Sequence, residues 1–148
     1  MNAEVIDTVF HVRLVGRSGI VVGSSYGATG CKMMDELWTT VHEKQLPTSG
    51  INYSVYLPNN LMSTGVELTA ARDDLGGLER REVTLPRYLA PFTSARTPNF
   101  RELGRCKTRV VELGERATST GLEIYGHWDP DPTKLETTIL IGLEPGHD

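Results

Sequence analysis

Ser119-Thr120-Gly121-Leu122-Glu123-Ile124-Tyr125-Gly126-His127-Trp128-Asp129 decides the fold, because the chain carries it twice. It lines up with Thr48-Ser49-Gly50-Ile51-Asn52-Tyr53-Ser54-Val55-Tyr56-Leu57-Pro58, glycine on glycine. Each copy reads as a strand. Alternation puts Glu123, Tyr125 and His127 on one face and Leu122, Ile124 and Trp128 on the other. The second face is apolar and needs a core. The first carries an acid, a phenol and an imidazole in a row.

Working outward, each copy follows an amphipathic helical pattern. Cys31, Met34, Leu37, Trp38 and Val41 recur at steps of three and four before the first. Phe100, Leu103, Val110, Val111 and Gly114 do so less cleanly before the second, where Thr97-Pro98 is a good helix start. Gly50 and Gly121 read as helix-ending glycines. Each copy then runs into a turn and another strand: Leu57-Pro58-Asn59-Asn60 before Gly65-Val66-Glu67-Leu68, and Asp129-Pro130-Asp131-Pro132 before the run from Thr137 to Leu143. Strands also precede the helices, at Ile20–Ser24 in the first half and at Glu82–Leu85 and Tyr88–Phe92 in the second. An extra strand near Val9–Leu14 opens the chain.

The expected fold is therefore α+β: two strand-helix-strand-strand modules related by a pseudo-twofold axis, in a single domain over 1–148. The repeats span about 1–69 and 82–144, joined by a charged, glycine-containing linker at 70–81. The antiparallel sheets are joined or facing, with helices on one face and a ligand cleft between the modules. If Leu122 and Ile124 meet the helix, Glu123 points at that cleft.

The bulk properties narrow the class. The chain has 148 residues, 39% hydrophobic and 23% charged, as in an ordinary globular protein. A net charge of −4 speaks against a general nucleic-acid binder. No apolar run is long enough to span a bilayer, and the start lacks the features of a signal peptide. Two cysteines in helical patterns, Cys31 and Cys106, make a disulfide framework unexpected and a cytoplasmic location the default.

The halves differ where chemistry could reside. Asn52 stands where the second half has Glu123, and Ser54 where it has Tyr125. A pocket carboxylate needs a ligand cation, a hydrogen-bond donor or a role as acid or base; a surface carboxylate needs none of these. Tyr125 is its natural neighbour, able to bind Glu123 or to stack on a flat or cationic ligand. Asn52 and Tyr56 share the cleft side, while Tyr53 shares the core side with Ile51. Tyr26, Tyr88, Phe92 and Trp128 complete the large aromatics assigned to the site, with His127 near the strand end. Trp38 fits the helix core stripe and reads as packing. The four histidines are scattered and the cysteines far apart, so no metal site is expected. The Asp129–Pro132 turn lacks the glycine and distal glutamate of a calcium loop. No phosphate loop and no Gly-x-Ser-x-Gly elbow occurs, and no cofactor is implied.

Glu123-Ile124-Tyr125-Gly126-His127-Trp128, the Asp-Pro turn, Lys134-Leu135-Glu136-Thr137-Thr138 and the final apolar strand resemble the second half of gyrase-inhibitor-like (GyrI-like) small-molecule-binding domains. These also form the effector-binding domains of multidrug-responsive bacterial transcription activators. The resemblance spans nearly the whole chain and maps the family's pocket glutamate onto Glu123. The glycine-centred turn before each helix is close to the pattern at Ser25-Tyr26-Gly27-Ala28 but lacks its glycine at Ser94-Ala95-Arg96-Thr97. There is no helix-turn-helix segment, so the chain resembles the stand-alone members.

The resemblance implies a protein that captures a lipophilic or drug-like small molecule in a central aromatic-lined cleft with Glu123 at its centre, for detoxification or self-protection; a cationic or an electrophilic ligand would both suit it, and charge and apolar run length predict no nucleic acid bound by itself and no membrane. An alternative is a hydrolase that opens strained cyclopropane rings, with Glu123 activating water and Tyr125 orienting or protonating the substrate. A second alternative is an inhibitor that contacts a macromolecule such as gyrase. Ligand identity and oligomeric state stay open.

Overall fold

The turn Leu57-Pro58-Asn59-Asn60 sets the first hairpin. Asn59 and Asn60 take φ of 63° and 61°, the left-handed pair whose twist matches that of flanking strands and which asparagine tolerates best after glycine. It joins β3 (Thr48–Leu57) to β4 (Leu61–Leu68), with Leu57 opposite Leu61. The computed structural model describes residues 4–23, 26–94, 100–125 and 137–145, without the side chains of 90–94 and 100–105.

The remaining described elements, in chain order, are β1 (Glu4–Ile6), β2 (Phe10–Ile20), α1 (Tyr26–Glu43), β5 (Glu79–Leu85), β6 (Tyr88–Ser94), α2 (Phe100–Glu112), β7 (Ala117–Tyr125) and β8 (Thr137–Leu143). All eight strands form one antiparallel sheet in the order β1-β6-β8-β7-β3-β4-β2-β5. The sheets of the two strand-helix-strand-strand runs are thus joined, through β3 and β7. Read from either edge, the order is an extra strand, then the first, third and second strands of a run. The extra strands cross over. β1 leads into β2 but pairs with β6, and β5 leads into β6 but pairs with β2.

Several local expectations are corrected. The two strands expected at Val9–Leu14 and Ile20–Ser24 are one strand of 11 residues, Phe10–Ile20. Gly16 lets it run unbroken, because a Cβ there would stand 1.7 Å from the Thr64 carbonyl oxygen on β4. The segment expected as a connection at 70–81 gives way to strand at Glu79, and β5 lies on the first run's sheet edge, not the second's. Gly50 and Gly121 lie inside β3 and β7 and end no helix. The helices stop earlier, by one shared device. Leu46 N–H donates to the Val41 carbonyl and Gln45 N–H to that of His42; Glu115 and Gly114 repeat the pattern onto Val110 and Val111. Gln45 (φ 51°) and Gly114 (φ 69°) supply the left-handed residue that these paired bonds require. The expected helix start at Thr97-Pro98 lies outside the described residues.

Both helices sit on one face of the sheet. Leu37 and Val41 of α1 pack with Val15 of β2 and Val66 of β4. Cys106 and Val110 of α2 pack with Leu89 of β6 and with Ile139 and Leu143 of β8. Cross-strand partners share a face, and Ile139 is paired with Glu123, so the helix face is the face of Glu123. The expectation that Leu122 and Ile124 would meet a helix is therefore overturned. They point to the opposite face, into a core with Val12, Leu14, Tyr53, Val55, Val83, Leu85 and Leu140.

That core needs no helix because the sheet curls over it. Phe10 on β2 and Tyr88 on β6 stand five strand positions apart, about 24 Å in a flat sheet. Their ring centroids are 5.9 Å apart. The curl brings apolar side chains of opposite edges together on the concave side and leaves the convex side to the helices. Arg87, in the β5–β6 turn, ties the ends of the described chain: it donates to Asp7, to both oxygens of Glu115 and to the Glu144 carbonyl. Among the described residues no helix is long and apolar enough to cross a membrane.

Gly16→Ala tests the strand packing. The clash is with backbone, which cannot rotate away, so the substitution should lower the unfolding free energy by about 3 kcal/mol or more. Denaturant unfolding measures it; a loss below about 1 kcal/mol would contradict the close approach.

Candidate functional site

With α1 over β2 and β4 and α2 over β6 and β8, the two central strands β3 and β7 are left between the helices. Their ladder pairs Asn52 with Tyr125, Tyr53 with Ile124 and Ser54 with Glu123. Tyr53 and Ile124, which stand at matching places in the two similar segments, meet each other and turn to the concave core. Asn52, Ser54, Glu123 and Tyr125 surround that pair and turn to the helix face. The two segments thus place their one conspicuous difference, amide and hydroxyl against acid and phenol, at the middle of the sheet.

Glu123 is 6% exposed. Tyr56 donates to its Oε1 at 2.9 Å, and Tyr125 donates to Oε2. The Ser54 hydroxyl, in a residue 2% exposed, lies across the ladder beside the Tyr125 phenol. Burial first, and the Glu123 charge second, push the Tyr56 and Tyr125 phenols well above the ordinary tyrosine value; Ser54 opposes this at Tyr125. Both phenols are therefore protonated donors at neutral pH. Among the described residues no basic side chain forms an ion pair with Glu123. Hydrogen bonds to neutral phenols orient the carboxylate without cancelling its charge.

The α1 side of this strip is lined by aromatic and sulfur groups. Tyr26, the first residue of α1, packs its ring 5.7 Å from that of Tyr56 and donates to Asn60. Met33 and Met62 are buried against the same pair of rings. Trp38 donates its indole N–H to Asn52 Oδ1 at 2.7 Å. Cys31 is exposed on α1.

The predicted site residues divide accordingly. Glu123, Tyr125, Asn52, Tyr56 and Tyr26 come together on the helix face. Tyr88 does not. It is paired with Gly142, one register step from Leu89, and its ring lies on the concave face against Phe10. Strand alternation excludes it from the Glu123 strip. Phe92 is described in backbone only, where it pairs with Ile139. His127 and Trp128 lie outside the described residues, as does the Asp129–Pro132 turn.

The structure adds Trp38 and Ser54 to the surroundings of Asn52 and Glu123, which alternation and the helical stripe do not indicate. The helical stripe assigned to the core splits in two. Leu37 and Val41 face the sheet with Gly30, Met33 and Thr40, while Met34 and Trp38 are only half buried on the flank. The one signal for Trp38 is its N–H, which needs a partner once the ring is covered. Ser54 could be found only from the register, which sets it opposite Glu123.

No family model matches this sequence, and neither does any curated protein. Two solved structures share the fold over almost the full length. SAV2435, determined bound to tetraphenylphosphonium, aligns with a TM-score of 0.60 at 13% identity, covering 97% of this chain and 94% of its own. A protein of Staphylococcus aureus MU50, described as a candidate bacterial transcription regulation protein, aligns with a TM-score of 0.50 at 13% identity, covering 98% and 99%. At that identity the likeness is one of fold.

The raised phenols give a pH signature. Below about pH 10 tyrosine is protonated in folded and unfolded chains alike, so the contribution of Tyr56 and Tyr125 is fully present. Above it the unfolded chain loses protons that the folded chain retains, and stability falls as pH rises. The unfolding midpoint should be flat between about pH 7 and 9 and drop above about pH 10, and Tyr56→Phe should make that drop shallower. An alkaline drop unchanged in Tyr56→Phe would contradict the burial of this phenol beside Glu123.

Proposed function

We propose that this protein binds a lipophilic organic cation between α1 and α2, with Glu123 as the counter-ion. The observation that carries the reading is a carboxylate 6% exposed whose partners among the described residues are neutral phenols. A buried charge is costly unless paired. Tyr56 and Tyr125 relieve part of that cost and leave the charge itself for a ligand.

The surroundings set the ligand class. A compact ammonium or metal ion would lose strong hydration on entering an apolar groove. A phosphonium or quaternary ammonium with aryl groups is weakly hydrated and carries its own apolar surface. Tyr26, Tyr56 and Trp38 offer ring faces of the kind that attract such cations, and Met33 and Met62 add polarisable, adaptable contacts. The fold likeness to SAV2435, which binds tetraphenylphosphonium, supports the same class. Capture of such compounds fits detoxification or self-protection.

The contact between Tyr125 and Glu123 also keeps an acid and a phenol side by side, as the ring-opening hydrolase reading requires. There the carboxylate must reach a water next to an electrophilic carbon. Incubation with a cyclopropane-bearing electrophile, followed by mass spectrometry, separates the two. Binding alone leaves the compound's mass unchanged, and hydrolysis adds the mass of water.

Calorimetry with tetraphenylphosphonium and with neutral triphenylphosphine oxide tests the counter-ion. The cation should bind wild type, and Glu123→Gln should weaken it at least about tenfold, or 1.4 kcal/mol. Triphenylphosphine oxide should bind both proteins alike. A variant that keeps the fold by circular dichroism and binds the cation as tightly as wild type would refute the reading.

A further inference from the structure

Gly121 lies inside β7, on the same face as Glu123 and half-buried. A glycine inside a strand weakens it and marks a bulge or a place where another group comes close. Its counterpart Gly50 has the backbone reason: its φ is 80°, where β3 shifts register between Thr48 and Asn52. β7 also shifts register, between Ala117 and Gly121, yet Gly121 takes no positive φ. Gly16, Gly65 and Gly142 have the packing reason, since a Cβ at each would stand less than 3.0 Å from a neighbour. A Cβ on Gly121 would meet the Leu140 carbonyl oxygen at 3.2 Å, and no other described atom outside its chain neighbours within 4 Å. The space beyond that Cβ position is open.

The ladders set Tyr56 directly beside Gly121 on one side and Ile141 on the other. Two strand spacings separate these flanking residues by about 9.6 Å, and on the convex face of a curled sheet side chains splay further apart. Tyr56 belongs to the α1 side, where Tyr26 packs 5.7 Å from its ring with Met33 and Met62 alongside. Its hydroxyl reaches along β7 to Glu123. The ring thus leans toward the acid, and none of its atoms comes within 4 Å of the Gly121 Cβ position. Ile141 belongs to the α2 side, against the cluster of Cys106 and Val110. Between them is a notch with a glycine floor, one aromatic and one aliphatic wall, and the Glu123 carboxylate at its end.

We infer that Gly121 is the floor of an aryl subsite, and that its missing side chain sets the size of cation the site admits. One aromatic ring of the ligand lies over Gly121, between Tyr56 and Ile141, and brings the cationic centre beside Glu123. This rests on the reading of Glu123 as the counter-ion of a lipophilic cation. The flat ring packs against the bare backbone and beside the Tyr56 ring, an arrangement aromatic pairs favour when offset or edge-on. A side chain the size of valine fills the same space.

Tetraphenylphosphonium bound to the unsubstituted protein tests the subsite through nuclear Overhauser contacts. Its phenyl protons should contact the Gly121 α-protons and the Ile141 methyls as well as the Tyr56 ring. Calorimetry then compares two variants. Gly121→Ala adds the Cβ alone and should bind the cation nearly as wild type does. Gly121→Val should weaken it at least about tenfold. The drop in stability above about pH 10 that Tyr56 contributes should persist in Gly121→Val, because that phenol still donates to Glu123. The contacts need no variant, so they decide even if valine unfolds the protein. No binding to wild type would overturn the counter-ion reading and the subsite with it. Binding without contacts to Gly121, or equal affinity in the folded Gly121→Val variant, would overturn the subsite and leave the counter-ion standing. Weakened binding together with loss of the Tyr56 drop would make Gly121 a support for Tyr56 and would also overturn the subsite.

Discussion

The antiparallel ladder between β3 and β7 is the contact on which the rest of the structure depends. It is the seam where the two strand-helix-strand-strand runs become one sheet of eight strands. Its register, with Tyr53 opposite Ile124, decides two things at once. It sends those two residues to the concave core, and it sends Asn52, Ser54, Glu123 and Tyr125 to the helix face. A slip of β7 by one residue would exchange the two sides of that strand, burying a carboxylate among Val12, Val55 and Leu85 and turning Leu122 and Ile124 out of the concave core. The penalty for that exchange protects the register and, with it, the site.

The curl of the sheet follows from the same division. One face of the seam is apolar and is covered by the strands themselves; the other is polar at its centre and is flanked by helices. The crossing of β1 and β5 to the opposite runs supports the curl, since each extra strand ends beside the edge it must close on. The central polar strip then lies on the helix face, on the two strands between those that α1 and α2 cover. There Glu123 meets two phenols, one from its own strand and one from β3, each held protonated by burial and by the carboxylate's charge. Burial makes the charge matter, and the phenols make it tolerable.

Much of this was legible in the sequence. Alternation separated Glu123 and Tyr125 from Leu122 and Ile124, and the same rule set Tyr56 with Asn52 and Tyr53 with Ile51. The α+β order is legible because α1 carries a clear apolar period and the Asn59-Asn60 turn a strong local signal, with a weaker period in α2. What the sequence did not carry is which face the helices take. An apolar strand face looks the same whether it meets a helix or the other limb of a curled sheet, so the partner of Leu122 was misassigned. Tyr88 was misplaced for a related reason: its side depends on the β6–β8 register, a long-range pairing. Ser54 and Trp38 needed tertiary context as well. A serine acquires a role only when the register sets it opposite an acid, and a tryptophan on a helix flank looks apolar until its N–H finds Asn52. Gln45 ends α1 in a left-handed conformation that no local signal announces.

The central claim is that Glu123 stays buried with its charge unmatched so that a lipophilic cation can complete it. The most direct measurement is a crystal structure of the protein with tetraphenylphosphonium. The account predicts the cation between α1 and α2, its phosphorus within about 6 Å of the Tyr56 ring face and against the Glu123 carboxylate, with Tyr56 and Tyr125 still donating to Glu123. A cation bound elsewhere, with the strip between the helices unchanged, would contradict it.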